Sequence, residues 1–120
     1  MKHIRMNGII AAVGLAVMLL LSSQSQAGYY TGSYLLQKCE SDSIAAYNAC
    51  AGYILGLIDY QEVMLGWSDL DEPYFCQPQG ATSDQLVKVV TKYLNEHPED
   101  QYLSAGGAVA NAMHEAFPCE

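Results

Sequence analysis

Cys39, Cys50, Cys76 and Cys119 restrict this 120-residue chain more than any other feature, because the segment before them reads as an export signal. Lys2, His3 and Arg5 make a positive start, and Ile9 to Leu21 is an apolar run. Ser25-Gln26-Ala27 then offers small residues at the two positions that a signal peptidase reads. The apolar run holds thirteen residues, short for a bilayer span, and no second run follows it. Cleavage is expected after Ala27, leaving residues 28–120 as one exported domain with no membrane association once the signal is gone. An even set of cysteines in an oxidising compartment is expected to form two disulfides. Three pairings are possible, and the expected helix ends favour one of them. Cys76 precedes one helix and Cys119 ends the next, so an antiparallel pair brings them together and leaves Cys39 for Cys50 across a helix–helix turn.

Disulfides matter here because a chain of this length sits near the lower limit for a self-sufficient core. In the chain-entropy model the short loop contributes about 3 kcal/mol and the long one about 4 kcal/mol. A surface ion pair contributes far less. Charge narrows the partners. After the signal only Lys38, Lys88 and Lys92 remain against all thirteen acidic residues, and no arginine is left. Without a guanidinium fork, and with so negative a surface, nucleic acid and anionic lipid are poor partners. A cationic patch on another protein suits the balance, and so does simple solubility.

Apolar residues after Gly28 recur at helical intervals, and nothing there reads as strand. A short first helix is expected over 33–39, with Ser33 as its cap. The second runs from 41–43 to about Leu65, with Tyr47, Cys50, Ala51, Ile54, Ile58 and Leu65 as its stripe. Gly52 and Gly56 lie four apart on that helix and are expected to admit a neighbouring helix closely. Gly66 to Ala81 holds two glycines and two prolines besides its alanine end and shows no period, so it is a long loop. Thr82 and Gln85 form a capping box at the start of the third helix, which Pro98 stops near Glu96. The fourth begins around 101–104, with Leu103, Val109, Ala110, Met113 and Phe117 inward. An all-α, four-helix antiparallel domain follows, stapled by two disulfides, with its long loop between helices 2 and 3.

No catalytic constellation stands out. A cysteine nucleophile would need a free thiol near His97 or His114, and all four cysteines are expected to be paired. There is no Gly-x-Ser-x-Gly elbow and no glycine-rich phosphate loop. Asp59 and Glu62 lie three apart on the second helix, but two acids on a polar helix face read as a solvated surface. The cysteines contain no Cys-x-x-Cys pair and the histidines sit at no zinc interval, so neither a metal nor a cofactor is implied. The chain reads as a binding protein, not an enzyme.

Several segments together carry a family likeness. They are Cys50-Ala51-Gly52-Tyr53-Ile54-Leu55-Gly56-Leu57-Ile58-Asp59, Phe75-Cys76-Gln77-Pro78-Gln79-Gly80-Ala81-Thr82, Gln85-Leu86-Val87, Tyr93-Leu94, Pro98-Glu99, Ala112 and Ala116-Phe117-Pro118-Cys119. This ordered set, from Leu35 to Cys119, resembles the Tai/Rap immunity-protein family, which protects bacteria against peptidoglycan amidase effectors of the type VI secretion system. The resemblance implies a periplasmic, disulfide-bonded helical protein, often dimeric, that plugs the catalytic cleft of a cysteine–histidine amidase. Gln101, Tyr102 and Gly106-Gly107 depart from the family pattern, where a basic residue and alanines are usual, and mark a variable, partner-facing surface. The reading from another class is an acid-stress chaperone, whose thirteen carboxylates neutralise together at low pH and release its order. Two disulfides favour a fixed binding surface instead. Trp67, Asp69, Asp71, Glu72 and Tyr74 are the expected contact residues, aromatic anchors ringed by acids, with Asp59 and Glu62 in support.

Overall fold

The computed structural model describes residues 29–120. The expected signal segment, residues 1–27, and its cleavage after Ala27 lie outside the described residues. Among the described residues four α-helices and one 3-10 turn are formed: α1 (Gly32–Cys39), α2 (Ile44–Gly66), α3 (Ser83–Glu96), the 3-10 turn Pro98–Tyr102, and α4 (Ala105–Ala116). The domain is all-α, as the periodicity requires, and its long loop joins α2 to α3.

Each α-helix starts on a hydroxyl side chain that accepts from an otherwise unpaired backbone N–H, a contact of about 1 kcal/mol. Thr31, Ser43, Thr82 and Ser104 do this for α1 to α4 in turn. At Thr82 the capping box is complete, because the Gln85 side chain also accepts from the Thr82 N–H at 2.9 Å. Ser33 is not the first cap. The helix opens one residue earlier than the spacing suggests, and Ser33 instead shares a hydroxyl–hydroxyl bond with Thr31. Leu103, expected inward, is exposed. It closes the 3-10 turn in extended backbone, and what it contributes to the interior is its carbonyl, which accepts from the Gly32 N–H at 3.0 Å.

The core is one cluster of side chains from all four helices, with Leu35, Cys50, Ile54, Leu86, Val90, Leu94, Val109 and Met113 among its members. Short α1 touches α2, α3, α4 and the 3-10 turn. Its approach needs Gly32. A Cβ there would stand 2.8 Å from the Asp100 carbonyl oxygen and 3.1 Å from the Gln101 Cα, both backbone atoms that cannot swing away. The residues around it pair with the start of α4 through a bridge between Thr31 and Ser104 and a bond from the Ala105 N–H to the Tyr30 carbonyl.

Gly52 and Gly56 reverse the expectation. A Cβ at either position would meet no atom within 4 Å, and both residues are exposed. Only Cys50, Ile54, Ile58 and Gln61 of α2 are buried, so the helix lies across the core on a narrow stripe and shows its glycine side to solvent. The approach to α2 comes from α4 instead, where a Cβ on Gly106 would stand 3.4 Å from the Leu57 side chain and 3.6 Å from the Tyr53 hydroxyl.

Two disulfides hold the frame. Cys39 bridges to Cys50 across the α1–α2 turn, and Cys76 bridges to Cys119, tying the end of the loop to the chain after α4.

Candidate protein-binding loop and groove

The loop after α2 departs from the helix through a tight C-terminal motif. Ser68 takes a left-handed backbone (φ 61°), its N–H bonds to the Leu65 carbonyl, and the Asp69 N–H reaches back to the Met64 carbonyl. That is the six-to-one and five-to-two pattern of a Schellman end, built on serine where glycine is usual. The turn leaves Trp67 71% exposed, so its ring does not cover the helix core. Asp69, Asp71 and Glu72 follow, all exposed.

The second half of the loop is fastened down at four points. Phe75 is buried in the core. Gln61, only 8% exposed, donates its Nε2–H to the Phe75 carbonyl at 3.0 Å, while its Oε1 accepts from the Tyr74 N–H at 2.8 Å and the Phe75 N–H at 3.2 Å. The Cys76 N–H donates to the Phe117 carbonyl at 2.8 Å, beside the Cys76–Cys119 bridge. His114 stacks on Tyr74, ring centroids 4.7 Å apart, and its Nδ1 lies 2.6 Å from the Tyr74 carbonyl. A carbonyl only accepts, so Nδ1 carries the proton. Tyr74 thereby keeps half of its surface exposed while its backbone is fixed.

Asp59 and Glu62 are exposed on α2, on either side of Tyr60 and Gln61. Among the expected contact residues, Tyr74 lines a recess. It is an apolar groove of about 290 Å³ formed by Leu57, Tyr60, Gln61, Met64, Leu70, Tyr74, Phe75, Gly106 and Ala110. Trp67, Asp69, Asp71, Glu72, Asp59 and Glu62 are not among its lining residues. The sequence reading missed Gln61, Tyr60, Leu70 and His114. Gln61 left a trace, because a polar residue stands on the Cys50, Ile54, Ile58 stripe at the next helical interval. His114 left none, since its partner is forty residues away. A wider cleft of about 480 Å³ lies between residues 78–81 and α3, beside Lys88 and Phe117, and contains none of the acidic or aromatic loop residues.

The 3-10 turn has its own anchorage. Tyr93 donates to Asp100 at 2.6 Å, Asn111 donates to the same oxygen at 3.2 Å, and both bonds hold the Asp100 carboxyl below its usual range. Burial, then the bond to Asp100, pushes the Tyr93 hydroxyl up to about 12. His97 stacks on Tyr93 with centroids 4.2 Å apart and stands between Glu99 at 3.1 Å and Glu115 at 3.4 Å. The hydrogen bond to Glu99 is the main cause that raises His97, with the Glu115 charge adding to it. Turn and loop alike are fixed by non-local bonds.

Among the described residues no group of three or more histidine, cysteine or acidic side chains is placed to hold a metal ion, and every buried side-chain polar atom has a partner. No helix among them is long and apolar enough to cross a membrane. What the arrangement offers is an exposed, acidic and aromatic surface beside a braced loop, suited to contact with another protein. No curated protein matches the chain. Residues 31–119 match the family model of Rap1a immunity proteins, a span that takes in the braced loop, both disulfides and all four helices, and the chain therefore belongs to the Rap1a immunity protein family.

Proposed function

We propose that this chain is a periplasmic immunity protein that binds a peptidoglycan amidase effector of the type VI secretion system and occludes its catalytic cleft. The protein acts by binding and performs no chemistry of its own. The observation that carries the reading is the loop of residues 67–80, whose Trp67, Asp69, Asp71 and Glu72 are exposed after the turn at Ser68 and whose second half is held by Gln61, His114 and the Cys76–Cys119 bridge. A surface ordered before it meets its partner loses little conformational freedom on binding, which favours tight inhibition. Trp67 supplies ring area to a cleft, and Asp69, Asp71 and Glu72 can accept from a histidine or a basic rim, with Asp59 and Glu62 extending the acidic surface along α2. Membership of an immunity family supports the existence of a cognate effector. A homodimer belongs to this reading, and the open α2 face at Gly52 and Gly56 is free to accommodate one.

The test is a Trp67→Ala, Asp71→Ala double variant titrated against a purified amidase effector by calorimetry, with circular dichroism alongside. The expected result is retained helicity with a loss of about 2–4 kcal/mol in binding, the range of true hot spots. Unchanged affinity with unchanged helicity would move the contact to the turn at residues 96–104.

A further inference from the structure

We infer that the Cys76–Cys119 bridge is a thiol–disulfide exchange site, open to a dithiol reductant from solvent, and that its reversible opening loosens the end of the loop while the Cys39–Cys50 bridge stays closed. The exchange site stands apart from the immunity reading; only its consequence for partner binding rests on that reading.

The two bridges differ in what surrounds them. Cys39 and Cys50 are 7% and 0% exposed and belong to the core cluster. A thiolate reaches them only when the core itself opens. Cys76 and Cys119 are both exposed, as are residues 77–80 after the first and Pro118 and Glu120 on either side of the second. Pro78 and Phe117, each two residues from a bridge cysteine, line the cleft of about 480 Å³ beside α3, so open concave surface adjoins the bridge. Access of the attacking sulfur is a condition of exchange, and exposed bridges are the labile ones. None of the four cysteines is free, so the attacking thiol comes from another molecule.

The step balances with a dithiol. One thiolate of the reagent attacks a bridge sulfur, a mixed disulfide forms, and the other cysteine leaves as a thiolate and takes up a proton. The second thiolate of the reagent then attacks the reagent's own sulfur in the mixed disulfide and releases the remaining cysteine, which is protonated in turn. Two electrons and two protons pass to the chain, and the reagent leaves as a disulfide. An oxidant of the disulfide class reverses the sequence.

The position of the bridge sets what its opening changes. It ties the end of the loop to the chain beyond α4, and beside it the Cys76 N–H donates to the Phe117 carbonyl at 2.8 Å. On the core side, Phe75 stays buried and its backbone stays bonded to Gln61, so that part of the loop keeps its fastening. With the bridge open, the Cys76–Phe117 bond must hold two exposed stretches of chain against their regained freedom, and a single backbone bond does this weakly.

The test uses the native mature chain. Dithiothreitol at neutral pH, quenched with iodoacetamide at successive times, reads the order of opening by peptide mass mapping. Initial alkylation of Cys76 and Cys119 is expected to outpace that of Cys39 and Cys50 by about tenfold or more, and oxidised glutathione is expected to restore the bridge. Equal initial rates, or earlier alkylation of Cys39 and Cys50, overturn the proposal. Amide exchange followed by NMR, at the dithiothreitol concentration that opens the first bridge alone, is expected to quicken by about tenfold or more at Cys76 while Leu94 and Val109 stay protected. Unchanged exchange at Cys76, or lost protection at Leu94 and Val109, also overturns it. A purified amidase effector is expected to bind the opened form about fivefold or more weakly, with recovery on reoxidation. If the amidase binds neither form while the order of opening and the exchange at Cys76 are as expected, the immunity reading fails and the exchange site stands. If the amidase binds but all four cysteines react together, the exchange site fails and the immunity reading stands.

Discussion

Gln61 shows how one side chain fastens a loop to the helix beneath it. Its amide satisfies two backbone N–H groups and one carbonyl of the loop from inside the helix, a contact buried enough that water cannot replace it. Replacing it by leucine keeps the volume and removes all three bonds. Leaving buried backbone groups unpaired costs about 1–3 kcal/mol. Gln61→Leu is therefore expected to lose about 2–3 kcal/mol in urea unfolding. It should also accelerate amide exchange at Tyr74 and Phe75, and unchanged exchange there would show that the bridge at Cys76 holds the loop without Gln61. Ser68 works in the opposite sense. Its left-handed backbone costs about 1–2 kcal/mol relative to a right-handed one, and the turn it makes is what sends Trp67 and the acids outward.

Among the elements, the glycines sort by what lies opposite them. Gly32→Ala drives a Cβ against the backbone of the 3-10 turn and is expected to cost about 1–3 kcal/mol. Gly56→Ala meets open space in the middle of a helix and is expected to gain about 0.5–1 kcal/mol. Thermal melts of the two variants check the contrast, and equal shifts would contradict it. The 3-10 turn sets the pH response. His97 is raised, so its contribution is complete below the ordinary histidine value of about 6.5 and is lost as pH climbs through the raised value. Glu99 and Asp100 are lowered, so theirs is complete above the ordinary carboxylate range of about 4 and is lost as pH falls through the lowered values. Stability is expected to peak between about pH 4.5 and 6.5 and to decline on both sides. Melts from acid to alkaline pH measure this, and His97→Gln should flatten the decline on the neutral side.

For the whole molecule, the Cys76–Cys119 bridge closes a 43-residue stretch that contains α3, the 3-10 turn and α4, and it is also the last fastening of the loop. Cys119→Ser is expected to destabilise the domain by about 2–5 kcal/mol, read by chemical unfolding. Partner binding should weaken as well, because the freed loop must be ordered on contact. The disulfide pairing that the helix order favoured is the one formed, and α2 and α3 were legible because their ends are announced by their neighbours in sequence, while the start of α1 at Thr31 was not. Thr82 with Gln85, Ser43 before Ile44, and Pro98 after Glu96 are all signals within four residues of the boundary they mark. The bland part of the site was equally legible, since an aperiodic stretch rich in proline, glycine and acids could only be an exposed loop. What the tertiary structure decided is every contact between distant residues. Nothing local distinguishes Gly32, pressed against Asp100, from Gly56, which faces open space. Nothing local couples Gln61 to Phe75 or His114 to Tyr74, or turns Tyr60 and Leu70 into the rim of one groove. Periodicity and capping are properties of a segment's own backbone hydrogen bonds, so the sequence alone determines them. Closeness across the fold depends on how whole helices cross, and that only the assembled core sets.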